Sequence, residues 1–448
     1  MRYIPHTEDE IGSMLNTIGA KNPEDLFSGI PKALRCKDKL DLPDGMAEQE
    51  LWGHLNDVAM QNLTQSCSAS FLGGGAYRHY IPAAVSELAG RSEFVTPYTP
   101  YQPEVSQGTL QSMFEYQSQI CRLFSMDVAN ASHYSGATAA ADAALMARRI
   151  GKRRKRIVLP ENMHPEYRHV VETVIANREE VTIVRSSGGR IDRASLEEAL
   201  GDDVAAVFVQ FPNFFGIVED LGGIAESTHA AGALCVAVTP EPVALGILTP
   251  PGEWGADIAV GEGLSLGLPV SYGGPTLGIF TAKQDYVRSM PGRICGRTVD
   301  TEGRAGYVLT LSTREQHIRR ERATSNICSN QALCATTAAI HMSLLGKEGM
   351  RELAVANAAK ADYAKQALAK TSGVTLTFEA PTFNEFAIET ARSASDVLSA
   401  LADEGIFGGI DLGRWYPNME HGILVCVTEM NTRHEIDRYA AALEKILQ

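Results

Sequence analysis

Six short apolar runs, at 157–159, 181–184, 205–209, 234–238, 258–260 and 277–281, recur through the middle of this 448-residue chain and constrain its fold more than any other feature. They are rich in β-branched residues and carry almost no polar position, so neither face of such a strand suits water. Amphipathic segments at 165–178, 194–200 and 223–231 lie between several of them. Buried strands joined by helical crossovers are βαβ units. They predict an α/β fold whose helices cover both faces of a large, mostly parallel sheet.

The flanks read differently. Thr7 and Glu10 form a capping box ahead of an amphipathic stretch through Ile11, Met14, Leu15 and Ile18, and a second helical stretch covers 49–64. These hold too few apolar residues to close a core, so 1–90 is expected to be an N-terminal helical arm laid on the main body or on another chain. The large α/β domain is expected over 91–330. Beyond it come a helical block at 329–371 interrupted near 346–349, strands at 374–378, 385–388 and 423–427, a helix at 395–403 and a last helix capped by Thr432 and Glu435. That pattern predicts a smaller α+β C-terminal domain, 331–448.

Composition excludes several classes of function. With 40 basic and 54 acidic side chains the formal net charge is −14, the wrong sign for a general nucleic-acid binder. No apolar run approaches the roughly 20 residues that span a bilayer. The opening MRYIPHTEDEIGSML has acids and no apolar signal core, so a cytoplasmic location is expected. The eight cysteines are scattered, and the closest pair, Cys328 and Cys334, lacks CxxC spacing and a matching histidine pair. Reduced thiols and no metal site are the expectation.

Several segments carry candidate chemistry. In SHYSGATAAADA the turn Ser135, Gly136, Ala137 and Thr138 leads straight into an alanine-rich helix. Its first amides and the positive helix end converge on one point, which suits either an anion or a tight helix–sheet packing. FLGGGAYRHYIP at 71–82 places three glycines before Arg78 and His79; it reads as a mobile loop or a nest, since GxGxxG opening a helix is missing. VTPYTPYQPEVSQG at 95–108 sets Tyr98, Tyr101, Gln102 and Glu104 among prolines, a stiff loop suited to a binding surface or a packed crossover. KRRKR at 152–156 is either a solvated loop or a dock for an anionic partner. STREQHIRRERATSN at 312–326 gathers four arginines around His317, to meet carboxylates of a neighbouring chain or to pair with Glu315 and Glu321.

Taken together, YIPHTEDEIGSML, FLGGGAYRHYIP, YTPYQPEVSQG, YSGATAAADA, QFPNFFGIVEDL and TREQHIRRERATSNICSNQAL resemble the first subunit of the split glycine cleavage system P-protein, a decarboxylating glycine dehydrogenase. The likeness runs along nearly the whole chain. It implies the type I, aspartate-aminotransferase-like fold of the pyridoxal-phosphate enzymes. It also implies pairing with a homologous second subunit, in an α2β2 assembly, that decarboxylates glycine and passes the aminomethyl group to the lipoyl arm of the H-protein.

Pyridoxal phosphate needs a lysine for its Schiff base and an acid beside the ring nitrogen. No lysine lies between Lys155 and Lys283; where the family's fold would place one the sequence reads GEGLSLGLPVSYGGP, with Ser265 near the expected position. Where the acid should stand come Val238, Thr239 and Pro240, with Glu241 beyond. This chain is therefore expected to be the non-catalytic partner of a second subunit that binds the cofactor covalently. Gly136, Ala137 and Thr138 would be a vestigial phosphate cup. Arg78, His79, Tyr98, Tyr101, Gln102 and Glu104 would project into the second subunit's pocket or line the lipoyl channel. A stand-alone lyase or aminotransferase using Lys283, and a purely structural scaffold, are the alternatives.

Overall fold

The computed structural model describes residues 5–36, 40–62, 69–96, 98–175 and 180–448, in two compact units, 1–63 and 64–448. The first unit holds α1 (Glu8–Ile18) and α2 (Glu48–Ala59). Thr7 caps α1 reciprocally with Glu10, as its spacing predicts, and Gly19 ends it in the left-handed region. Neither helix buries a residue; Ile11, Met14, Leu15, Ile18, Pro23 and Leu26 line an apolar hollow of about 510 Å³. Residues 63–64 of the second predicted helix lie outside the described residues.

The second unit is built on a seven-stranded sheet. Its strands are β1 (Val128–Ala129), β2 (Arg156–Pro160), β3 (Val181–Val184), β4 (Val204–Gln210), β5 (Leu234–Thr239), β6 (Ile258–Glu262) and β7 (Gly278–Ala282), in the spatial order β1-β7-β6-β5-β4-β2-β3. β2 to β6 run parallel, while β7 pairs antiparallel with β6 and β1. The return from β6 to β7 contains no crossover helix, which is why the last run of the series reverses direction. All six predicted runs are strands.

Alternation along each strand feeds two cores. Ile157, Leu159, Phe208, Val236, Val238, Ile258 and Val260 pack with the alanines of α4 (Gly136–Gly151) and with Tyr167 and Val171 of α5 (Pro165–Ile175). Val158, Val207, Val209, Cys235, Ala237 and Ala259 face the opposite side, with Leu221 and Ile224. Tyr116, Ile120 and Phe124 join them from α3 (Gln107–Phe124), a long amphipathic helix that the strand-centred sequence reading passes over.

The long helix α6 (Ala332–Leu368) breaks at Gly346, whose φ of 62° and ψ of −173° leave the helical region where the glycines predict an interruption. A four-stranded antiparallel sheet follows, with β8 (Val374–Leu376), β9 (Glu385–Thr390), β10 (Ile410–Asp411) and β11 (Gly422–Cys426) in the order β8-β9-β11-β10. Helices α7 (Ala394–Asp403) and α8 (Arg433–Leu447) pack on it through Val397, Leu401, Ile436 and Tyr439. Ala69–Ser70 pairs with Ile406–Phe407, so the glycine-rich segment belongs to this unit.

Candidate functional site

In an open parallel sheet, ligands bind beyond the carboxyl ends of the strands. Here those ends deliver Gln210 from β4, Glu241 just past β5, and Glu262, the last residue of β6. The N-terminus of α4 meets the same edge. Ser135 caps it, accepting from the Thr138 amide, and a Cβ on Gly136 would sit 2.2 Å from the Tyr167 hydroxyl and 3.0 Å from the Gly261 carbonyl oxygen. Glycine is required there by the closeness of helix to sheet.

The converging amides hold a carboxylate of this chain. Glu262 Oε2 accepts from Gly136 N at 2.9 Å, and Oε1 from Leu277 N at 2.7 Å and Leu264 N at 3.2 Å. Burial pushes the Glu262 carboxyl upward, and those backbone N–H groups pull it back toward the charged form. An acid between two glycines at the end of an apolar strand was the available signal, and nothing local reveals what it would face.

A second set gathers around Ser265. The Ser265 hydroxyl donates to Glu241 Oε2 at 3.1 Å. That oxygen also accepts from His79 Nε2 at 2.9 Å, while His79 Nδ1 donates to Glu429 Oε2 at 2.8 Å. Burial opposes charge on His79, yet the Glu241 and Glu429 carboxylates outweigh it and push the imidazole up to about 10. Glu429 is partly buried, which raises its carboxyl, yet it is held below its ordinary value by the His79 ring, the Tyr80 amide and Asn357. The side chain of His79 is turned inward, 3% exposed.

This set does not fit pyridoxal phosphate. Ser265 has no amine, and Val238 is an apolar member of the core between sheet and α4. Lys360 approaches from α6, but its ammonium donates to the Glu429 and Asn431 carbonyl oxygens. Lys283 lies at the opposite edge of the sheet, paired at 2.8 Å with Asp257, the residue before β6.

Of the three glycines, one amide meets a carboxylate. Gly74 N donates to Glu385 Oε1 at 2.6 Å and Tyr77 donates to Oε2 at 2.7 Å, while Gly74 and Gly75 take φ of 65° and 96°. Burial raises Glu385 to about 7 against those donors. His164 Nε2 donates to the Gly74 carbonyl oxygen, and Gln210 accepts from the His164 amide, which ties this segment to β4.

The remaining candidates lie outside this buried set. Tyr98, Tyr101, Gln102 and Glu104 are all exposed, and Arg78 is half-buried. Arg293 donates to the Tyr101 hydroxyl at 3.2 Å and lies over its ring. Among the four arginines, Arg314 is buried on the Met290 and Gly292 carbonyl oxygens, and Glu315 pairs with Arg293 rather than with any of them. Arg149, Arg320 and Ser325 meet His133, Thr138 and Asp142 around a cavity of about 540 Å³ beside α4. In the basic run, Arg154 and Arg156 are tied to backbone carbonyls and Asp203, and Lys152, Arg153 and Lys155 are exposed. Among the described residues no group of three or more His, Cys, Asp or Glu is placed to hold a metal ion, and no helix is long and apolar enough to cross a membrane.

Comparison with known proteins gives a consistent result. The glycine cleavage system P-protein family matches residues 1–443. The chain is 50% identical, over 100% of both chains, to a probable glycine dehydrogenase (decarboxylating) subunit 1 of Desulforamulus reducens. It is equally similar to one of Moorella thermoacetica. A crystal structure of glycine decarboxylase (P-protein) in inhibitor-bound form superposes with a TM-score of 0.91 at 43% identity, covering all of both chains. A sphingosine-1-phosphate lyase of Burkholderia pseudomallei, 15% identical with a TM-score of 0.68 over 93% of this chain and 94% of its own, shares the fold alone.

Proposed function

This chain belongs to the glycine cleavage system P-protein family, and we propose that it serves as the non-catalytic subunit of a two-subunit decarboxylating glycine dehydrogenase. Its curated relatives carry the designation subunit 1, which implies a partner. In this reading a homologous second subunit holds pyridoxal phosphate covalently, in an α2β2 assembly in the cytoplasm. The cofactor there supplies the electron sink for glycine decarboxylation, and the lipoyl arm of the H-protein takes the aminomethyl group.

One observation supports the assignment: the stretch after β6 holds no lysine, and Ser265, near the place the family's fold would give one, is hydrogen-bonded to Glu241. This chain's part is positional. The exposed segment bearing Tyr98, Tyr101, Gln102 and Glu104, with Arg78 behind it, is offered to the second subunit's pocket. Groups held there by a stiff scaffold orient substrate and exclude water without entering the chemistry. Gly136, Ala137 and Thr138 are read as the remains of a phosphate cup.

Reconstitution tests the assignment. The full chain alone, treated with pyridoxal phosphate and borohydride, is expected to retain no fixed chromophore and to show no glycine–bicarbonate exchange; adding the second subunit restores exchange. A stoichiometric cofactor fixed to this chain by itself would overturn it.

A further inference from the structure

We propose that Glu262 is a resident anion that occupies the phosphate cup of this subunit and excludes phosphate-bearing molecules from it. The inference rests on the non-catalytic reading above and deepens it: the cup is occupied by the chain's own carboxylate, in addition to the missing lysine.

Three amides from three separate segments converge on one carboxylate: Gly136 at the start of α4, Leu264 after β6, and Leu277 before β7. Backbone donors at a helix N-terminus favour an anion of any origin. Here the anion is delivered from within, on the last residue of β6, and is 4% exposed. Thr138 N is likewise taken, by Ser135 Oγ at 3.2 Å. Of the cup's amides those of Gly136 and Thr138 are taken, so a phosphate cannot gather the set unless Glu262 leaves. A buried carboxylate loses three N–H partners if it does, so the occupant is held firmly. Truncating it empties the space and frees the three amides together, which turns the closed cup into a binding site for inorganic phosphate.

The test uses the purified full chain and inorganic phosphate, with chloride matched for ionic strength. The melting temperature of wild type is expected to be independent of phosphate. That of Glu262→Ala starts lower and rises saturably, by about 3 °C at fifty times the dissociation constant. An equal saturable rise in wild type would overturn the proposal, as would a folded Glu262→Ala with no response. If that variant does not fold, crystals of wild type grown from concentrated phosphate decide. Glu262 on the three amides upholds the inference, and phosphate there with the side chain displaced overturns it. Exchange activity of the assembled enzyme answers the functional assignment separately, so the two can fail independently.

Discussion

Replacing His79 by Gln removes the one positive charge between a buried and a partly buried carboxylate. The Glu241 and Glu429 side chains are 3% and 15% exposed, so water can take over little of the neutralisation. Breaking a buried ion pair by removing one partner costs about 3–5 kcal/mol. Unfolding entropy of about 2.1 cal/mol/K per residue, applied to the unit spanning 64–448, gives about 0.8 kcal/mol/K. The variant should therefore melt about 4–6 °C lower at pH 7. The pH dependence carries its own sign. The folded-state pKa of His79 is raised from 6.5 to about 10, so its stabilisation is complete below 6.5 and is lost as pH rises through about 10. The gap between wild type and variant should close over that window. Differential scanning calorimetry of both proteins from pH 7 to 10.5 measures it. Adding Glu429→Gln to the variant should recover part of the loss, because the two sites are coupled. A variant that melts within about 1 °C of wild type at pH 7, or a gap that stays constant with pH, would refute the account.

Gly136→Ala drives a methyl group against the Tyr167 hydroxyl and the Gly261 carbonyl, and is expected to destabilise by about 1–3 kcal/mol in urea unfolding. Glu385 is raised from 4.5 to about 7, so its contribution is complete below 4.5 and is lost as pH rises through about 7; Glu385→Gln should flatten the dependence of the urea midpoint on pH across that interval. Tyr98→Phe and Tyr101→Phe should lower turnover of the assembled enzyme by up to about tenfold, or ~1.4 kcal/mol, without dissociating it. Normal glycine–bicarbonate exchange in both would remove this segment from the pocket.

What the residues alone determined was local and periodic. The six apolar runs all form strands; in those of the sheet interior, a strand buried on both faces has to be apolar at nearly every position, a signal that needs no knowledge of neighbours, while 181–184 is a partly exposed edge strand. The reciprocal caps at Thr7 and Thr432, the break at Gly346 and the missing lysine are likewise short-range facts. Tertiary structure decided who faces whom. His79, Glu241 and Glu429 are separated by up to 350 positions and meet only when the glycine-rich segment, the large sheet and the C-terminal domain close on one another. Glu385 and Glu262 find their amides in the same way. Sequence marks a nest and a helix N-terminus as suited to an anion, because φ above zero and unpaired amides are properties of the local backbone. It does not say that the anion comes from the protein itself: a buried carboxylate takes whichever donors the fold brings within 3 Å, and that proximity is a property of the packed chain.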